Sequence, residues 1–343
     1  MPQLDGLRTL AVFAVVYSHY VPKMYHFEFP LGSAGVQLFF VLSGFLITSI
    51  LLKSREKGLN ESLKSFYIRR FFRIFPLYYL LLVLCAITQI ETVNQDAKWH
   101  WLYLSNIKFF LDNAWPGPGA HFWSLSVEEQ FYLAWPFLIL MAPSKNLKKI
   151  IFISIGIGVF FWATKPIFFS DYRLYGVLPF FNLDSLGAGA LLAFIRHTNR
   201  LLPKEQSTLI WALIPASVVL SISAAANFLE LSHVLNHCRR IAMIVFFVWL
   251  MARASQGFTT PLVKSILTNK VMLYLGKISY GIYVWHLFIP VFKSKLFTSL
   301  NIQSNWLNFG VSAVLFDTLL TVVVATISWE LFERPINKLK NKF

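Results

Sequence analysis

Three stretches of this chain carry ionisable side chains where the surrounding sequence is otherwise apolar. The first, Leu4 to Tyr20, holds Asp5, Arg8 and His19. Arg8 and His19 are 11 residues apart, which at about 100° per residue returns them to one helical face, about 16 Å apart along the axis. A guanidinium near one mouth of a bilayer suits an anion, and an imidazole near mid-depth, neutral near pH 7, suits proton transfer. Asp5, three residues before Arg8, is spaced to hold it in an ion pair. The second stretch, Phe66-Tyr67-Ile68-Arg69-Arg70-Phe71-Phe72-Arg73, puts Arg70 and Arg73 one turn apart with Arg69 beside Arg73. Guanidinium forks of this kind bind phosphate oxygens bidentately. In the third, His121-Phe122-Trp123-Ser124-Leu125-Ser126-Val127-Glu128-Glu129, Glu128 is a carboxylate at a span entrance that can orient a histidine. Further on, Tyr283 and His286 share a face. Each feature has a structural alternative: lipid-headgroup anchoring for the arginines, helix-start preference for the acids, and packing for the histidines.

These residues need elements to position them, and the composition says what kind. Of 343 residues 56% are apolar, 34 are Phe, and only 14% are charged. An average soluble domain is nearer 25% charged, so the expected solvent is lipid. Apolar runs place about ten spans at 5–21, 35–52, 74–90, 124–142, 150–164, 180–195, 208–226, 240–252, 276–292 and 306–328, with 99–111 as an extra half-helix or re-entrant piece. The fold class is therefore all-α and polytopic, one transmembrane domain over 1–343, with an even span count that puts both termini on one side. Taking that side as the cytoplasm assigns it 22 of the 31 basic residues, as the positive-inside rule requires. The net charge of +15 thus reads as topology, and nucleic acid drops out as a partner.

Other chemistry is thinly represented. No phosphate-binding loop, zinc-protease motif, nucleophile elbow or dinucleotide fingerprint occurs. His233, His237 and Cys238 have ligand-like spacing but read as a solvated outer loop, so no metal is expected. Asp184 and Asp317, buried acids, are expected to pair with neighbouring helices. A proton-coupled transporter is the rival class, although no two halves show matching broken helices.

Taken together the stretches resemble the acyltransferase 3 family of integral-membrane acyltransferases. Arg8 and His19 look like its Arg-x10-His signature, Gly35 to Leu46 its second-span motif, Arg70-Phe71-Phe72-Arg73 its Arg-x-x-Arg, and Trp123 to Glu128 its Trp-Ser-Leu-x-x-Glu. Ser279 to His286 and Glu333-Arg334-Pro335 look like its closing motifs. Asn182 departs from the pattern, which leads one to expect Arg two residues before Asp184. The resemblance implies a ten-span fold that moves an acyl group, usually acetyl, from cytoplasmic acetyl-CoA to a hydroxyl of a carbohydrate bound for the cell surface. It implies no bound cofactor, a bacterial plasma-membrane location and, since the chain ends at Phe343, the form without an SGNH domain. In that scheme His19, Glu128 and Arg8 are catalytic, and Arg70, Arg73, Arg69, Tyr283 and His286 bind substrate.

Overall fold

The computed structural model describes residues 1–25, 29–198, 233–258, 261–302 and 310–340, with isolated positions at 214, 217, 218 and 221. Among these the chain is helical throughout, with no strand. The first half contains α1 (Pro2–Tyr20), α2 (Leu31–Ser54), α3 (Leu59–Ile87), the short α4 (Glu91–Asn94), α5 (Ala97–Trp101) and α6 (Ser105–Asp112), then α7 (Phe122–Met141) and α8 (Leu147–Phe168). There follow α9 (Leu183–His197), α10 (His233–Gln256), α11 (Pro261–Thr268), α12 (Lys270–Lys277), α13 (Ser279–Trp285), α14 (Ile289–Ser299), α15 (Gly310–Ser328) and α16 (Arg334–Leu339). A π turn at Trp329–Glu333 joins the last two. Among the described residues four stretches, 31–57, 59–87, 144–168 and 310–339, are each long and apolar enough to cross a membrane alone.

The structure corrects three sequence expectations. The span expected at 74–90 begins earlier: Arg69, Arg70 and Arg73 lie within the first half of α3, which starts at Leu59. At 29 residues α3 is about 44 Å long, against a hydrocarbon layer of about 30 Å, so hydropathy finds only its apolar half. His233, His237 and Cys238 lie on α10, which starts seven residues before the expected span at 240 and leaves no loop there. The span expected at 276–292 is broken into α12, α13 and α14. Pro290 explains the second break. It has no N–H to bond the carbonyl of His286, and Tyr20 Oη donates to that carbonyl instead. The expected span at 208–226 lies almost wholly outside the described residues, while 99–111 falls on two short helices, α5 and α6.

Helix α2 is the hub, and glycine sets its distances. A Cβ on Gly44 would overlap the carbonyl oxygen of Leu186 on α9, and one on Gly189 of α9 would overlap that of Val41. Gly35 meets the Ala11 carbonyl of α1 in the same way. Small residues let helix backbones touch where lipid offers no hydrophobic drive for association. Around these contacts pack Val12, Val15 and Val16 of α1 with Tyr78 and Leu81 of α3, and Phe40 and Ile47 of α2 with Val127 and Trp135 of α7. Gly44→Ala should therefore lower thermal stability in detergent by about 2–3 kcal/mol. Gly156→Ala, which meets nothing within 4 Å, should not. Equal unfolding temperatures for the two variants would refute the backbone-contact account.

Candidate active site

Five helices bring charged and polar side chains to one cavity of about 840 Å³: Arg8 from α1, Ser43 from α2, Arg70 and Arg73 from α3, Glu128 from α7 and Tyr283 from α13. Arg8 Nη1 lies 2.8 Å from Asp5 Oδ1. Glu128 accepts from Ser43 Oγ at 2.5 Å and from Tyr132 Oη at 3.2 Å. The Arg70 guanidinium sits 5.7 Å from the Tyr132 ring and 5.9 Å from that of Phe66, a cation–π setting. Glu129 also lines the cavity, and its Oε1 is buried without a hydrogen-bond partner among the described residues.

How the cations are paired separates scaffold from site. Asp184 takes Arg240 at 2.7 Å and Asp317 takes Lys293 at 2.7 Å, so both buried acids are matched by basic groups from neighbouring helices, as expected. Arg55 donates to the carbonyls of Ile139 and Ala142 at the end of α7, a C-terminal capping role. Arg70 and Arg73, by contrast, have no carboxylate within 4.0 Å among the described residues.

A second cavity, of about 1210 Å³, is lined by His19, His121, Ser33, Trp115, Trp123 and Tyr283. His19 is exposed to it, while His286 and His121 are buried behind. His286 Nε2 is 3.0 Å from His19 Nδ1, and its Nδ1 is 2.6 Å from the Tyr283 carbonyl. The His121 ring stands edge-on to His286 at 4.9 Å. Tyr283 Oη is 2.5 Å from Ser124 Oγ. A further cavity, with Trp162, Arg173, Tyr175 and Arg240, shares Ser33, Trp115 and Trp123 with this one.

The arginine and histidine cavities lie toward opposite ends of the bundle. Arg8 and His19 are about 16 Å apart along α1, and α2 contributes Ser33 to one cavity and Ile47 to the other, about 21 Å along its axis. Among the described residues only Val36 and Tyr283 line both; they form the partition.

The expected site residues thus divide into two groups. Arg8, Arg70, Arg73 and Glu128 share the first cavity, His19 and His286 flank the second, and Tyr283 belongs to both. Arg69 is exposed on α3 and lines neither. Glu128 bonds Ser43 and Tyr132, whereas the side chain bonded to His19 Nδ1 is His286. Sequence reading passed over His121, Ser43, Glu129 and Arg240 as site residues. The first three sit inside or beside the motif stretches, which was their one signal. Arg240 had none, and it resolves the departure at Asn182: the guanidinium beside Asp184 comes from α10, and Asn182 Oδ1 accepts from it at 3.3 Å.

Comparison with known proteins places the chain. The acyltransferase 3 family model, an acyltransferase domain, matches residues 1–331. The peptidoglycan O-acetyltransferase OatA of Listeria monocytogenes serovar 1/2a is 30% identical over 367 residues, covering 98% of this chain and 56% of that protein. The O-acetyltransferase OatA of Staphylococcus aureus strain NCTC 8325 is 28% identical, covering 98% and 57%. A putative O-acetyltransferase of Staphylococcus aureus strain MSSA476 is 27% identical, again covering 98% and 57%. The chain spans a little over half the length of these relatives. No solved structure matches it. Helices of membrane-crossing length carry Gly35 to Leu46, Arg70 to Arg73 and Glu333 to Pro335, the family model covers nearly the whole sequence, and this membrane protein belongs to the acyltransferase 3 family.

Proposed function

We propose that the chain is a membrane O-acetyltransferase that takes acetyl from acetyl-CoA in the arginine cavity and passes it to a carbohydrate hydroxyl in the histidine cavity. The observation that carries this reading is the pair of cavities that share Val36 and Tyr283, one lined by Arg70 and Arg73, which have no carboxylate within 4.0 Å among the described residues, and the other by histidines and tryptophans. In this reading about ten spans lie in a bacterial plasma membrane, with both termini and the arginine cavity on the cytoplasmic side. The acceptor is a cell-surface polysaccharide or its lipid-linked precursor, peptidoglycan being the one that a relative is named for.

Each group then has a chemical task. Arg70 and Arg73 hold CoA phosphates through bidentate hydrogen bonds, and the thioester arm extends toward the partition. The Glu129 carboxylate accepts from an amide N–H of that arm. Arg8, steadied by Asp5, fixes the thioester end, and Glu128 keeps Ser43 and Tyr132 oriented along its path. On the other side the sugar ring lies against Trp115 and Trp123, whose indoles offer an apolar face and a polar edge. His19 removes the proton of the acceptor hydroxyl as its oxygen attacks the thioester carbonyl. The new C–O bond forms, the C–S bond breaks, and CoA leaves as a thiolate that takes up the proton His19 removed, which resets the base. Tyr283 Oη, on the partition, turns its hydrogen from Ser124 Oγ to the oxyanion formed on the way.

Binding and chemistry should therefore separate by variant. Arg70→Ala/Arg73→Ala should weaken CoA binding at least tenfold, about 1.4 kcal/mol, in a calorimetric or fluorescence titration of the purified protein. His19→Ala should bind CoA normally but lose at least about 100-fold in acetyl transfer. Normal transfer by His19→Ala, or unchanged CoA affinity in the double variant, would sink the assignment. Val36→Trp, which fills the partition, should spare CoA affinity while cutting transfer to the acceptor. A wild-type transfer rate in that variant would show that the acyl group takes another route.

A further inference from the structure

The hydrogen bonds behind His19 settle which of its nitrogens carries the proton, and they do so through a residue that the proposed reaction does not itself touch. The Tyr283 carbonyl oxygen is only an acceptor, so His286 Nδ1, 2.6 Å away, is the nitrogen that bears hydrogen. That carbonyl takes a side chain because α13 stops at Trp285 and the chain turns through 286–288 before α14. In a neutral imidazole with hydrogen on Nδ1, Nε2 holds the lone pair. His286 Nε2 lies 3.0 Å from His19 Nδ1, so His19 must supply the proton of that bond from Nδ1. The lone pair of His19 is left on Nε2.

Several contacts keep His286 in this role. Its ring is fully buried, its own carbonyl accepts from Tyr20 Oη, which is also 2.7 Å from Thr321 Oγ1, and His121 packs edge-on against it. Tyr20 directly follows His19 on α1, so α1 grips α13 at the two ends of the same histidine: through Tyr20 at the backbone and through His19 at the ring. The Pro290 break frees the first acceptor and the turn after Trp285 frees the second. The interruption in the ninth span is thus what lets one helix end orient an imidazole on another.

We propose that His286 is a positioning residue: it holds His19 in the tautomer with hydrogen on Nδ1 and the lone pair on Nε2, the nitrogen that takes the acceptor proton. Second-partner control of an imidazole tautomer is a general requirement for a histidine base. The proton-accepting task of Nε2 rests on the general-base reading above, but the tautomer itself does not.

The test is nitrogen NMR of purified protein labelled with ¹⁵N-histidine in detergent at neutral pH, the His19 signals being those lost in His19→Asn. Wild type should show His19 with a protonated Nδ1 and an unprotonated Nε2. His286→Leu should abolish that assignment and lower the turnover number for acetyl transfer on the order of 100-fold, with CoA affinity unchanged. His286→Gln, whose side-chain oxygen can accept where Nε2 did, should recover the Nδ1–H signal and part of the lost rate. A His19 protonated on Nε2 in wild type, or a tautomer indifferent to His286→Leu, would overturn the proposal. Should the tautomer be as proposed while His19→Asn transfers acetyl at the wild-type rate, the general-base reading fails and the positioning of His19 stands.

Discussion

Helix α2 touches its neighbours backbone to backbone, at Gly35 against α1 and at Gly44 against α9, and the rest of the molecule is measured from it. Ser33, Val36 and Ser43 project from this one helix into the histidine cavity, the partition and the arginine cavity in turn. A single methyl at Gly44 would push α9 outward and carry with it Asp184, the anchor of Arg240. Interiors packed this closely have few intermediate positions to relax into. The geometry of both cavities is therefore inherited from contacts that contain no functional group.

The second organising feature is the cost of charge away from water. Burying an unpaired ion is expensive enough that proteins match it or use it. Asp184 with Arg240, and Asp317 with Lys293, are matched, and each pair ties two helices together. Arg8 is matched by Asp5 but still faces the cavity. Arg70 and Arg73 face the same cavity with an aromatic ring beside Arg70 in place of a carboxylate, an arrangement that leaves their positive charge for a ligand. The histidine side is held differently, by hydrogen bonds among imidazoles, a backbone carbonyl and hydroxyls.

Much of this was legible in the residues. Spacing put Arg8 and His19 on one face, Asp5 within reach of Arg8, and Arg70 and Arg73 on one turn, because helical periodicity is a local property. Apolar runs located most helices for the same reason. Three things were hidden because they are not local. Hydropathy could not see the polar half of α3, which stays helical after leaving lipid. The breaks in 276–292 depend on where the Tyr283 and His286 carbonyls find partners, and Tyr20, 266 positions away from His286, is one of them. Arg240 stands at Asp184 across 56 positions of chain, so the missing arginine at position 182 could not be balanced from sequence alone.

In the proposed reaction donor and acceptor enter from opposite ends of the bundle and meet at Val36 and Tyr283. That route is tested most directly in sealed proteoliposomes holding the protein in one known orientation, with labelled acetyl-CoA on the side of the termini and a soluble glycan acceptor only on the other. Acetylated acceptor should form in the compartment that never contained acetyl-CoA, at a rate set by the protein and not by leakage. Transfer seen only when both substrates share a compartment would contradict it.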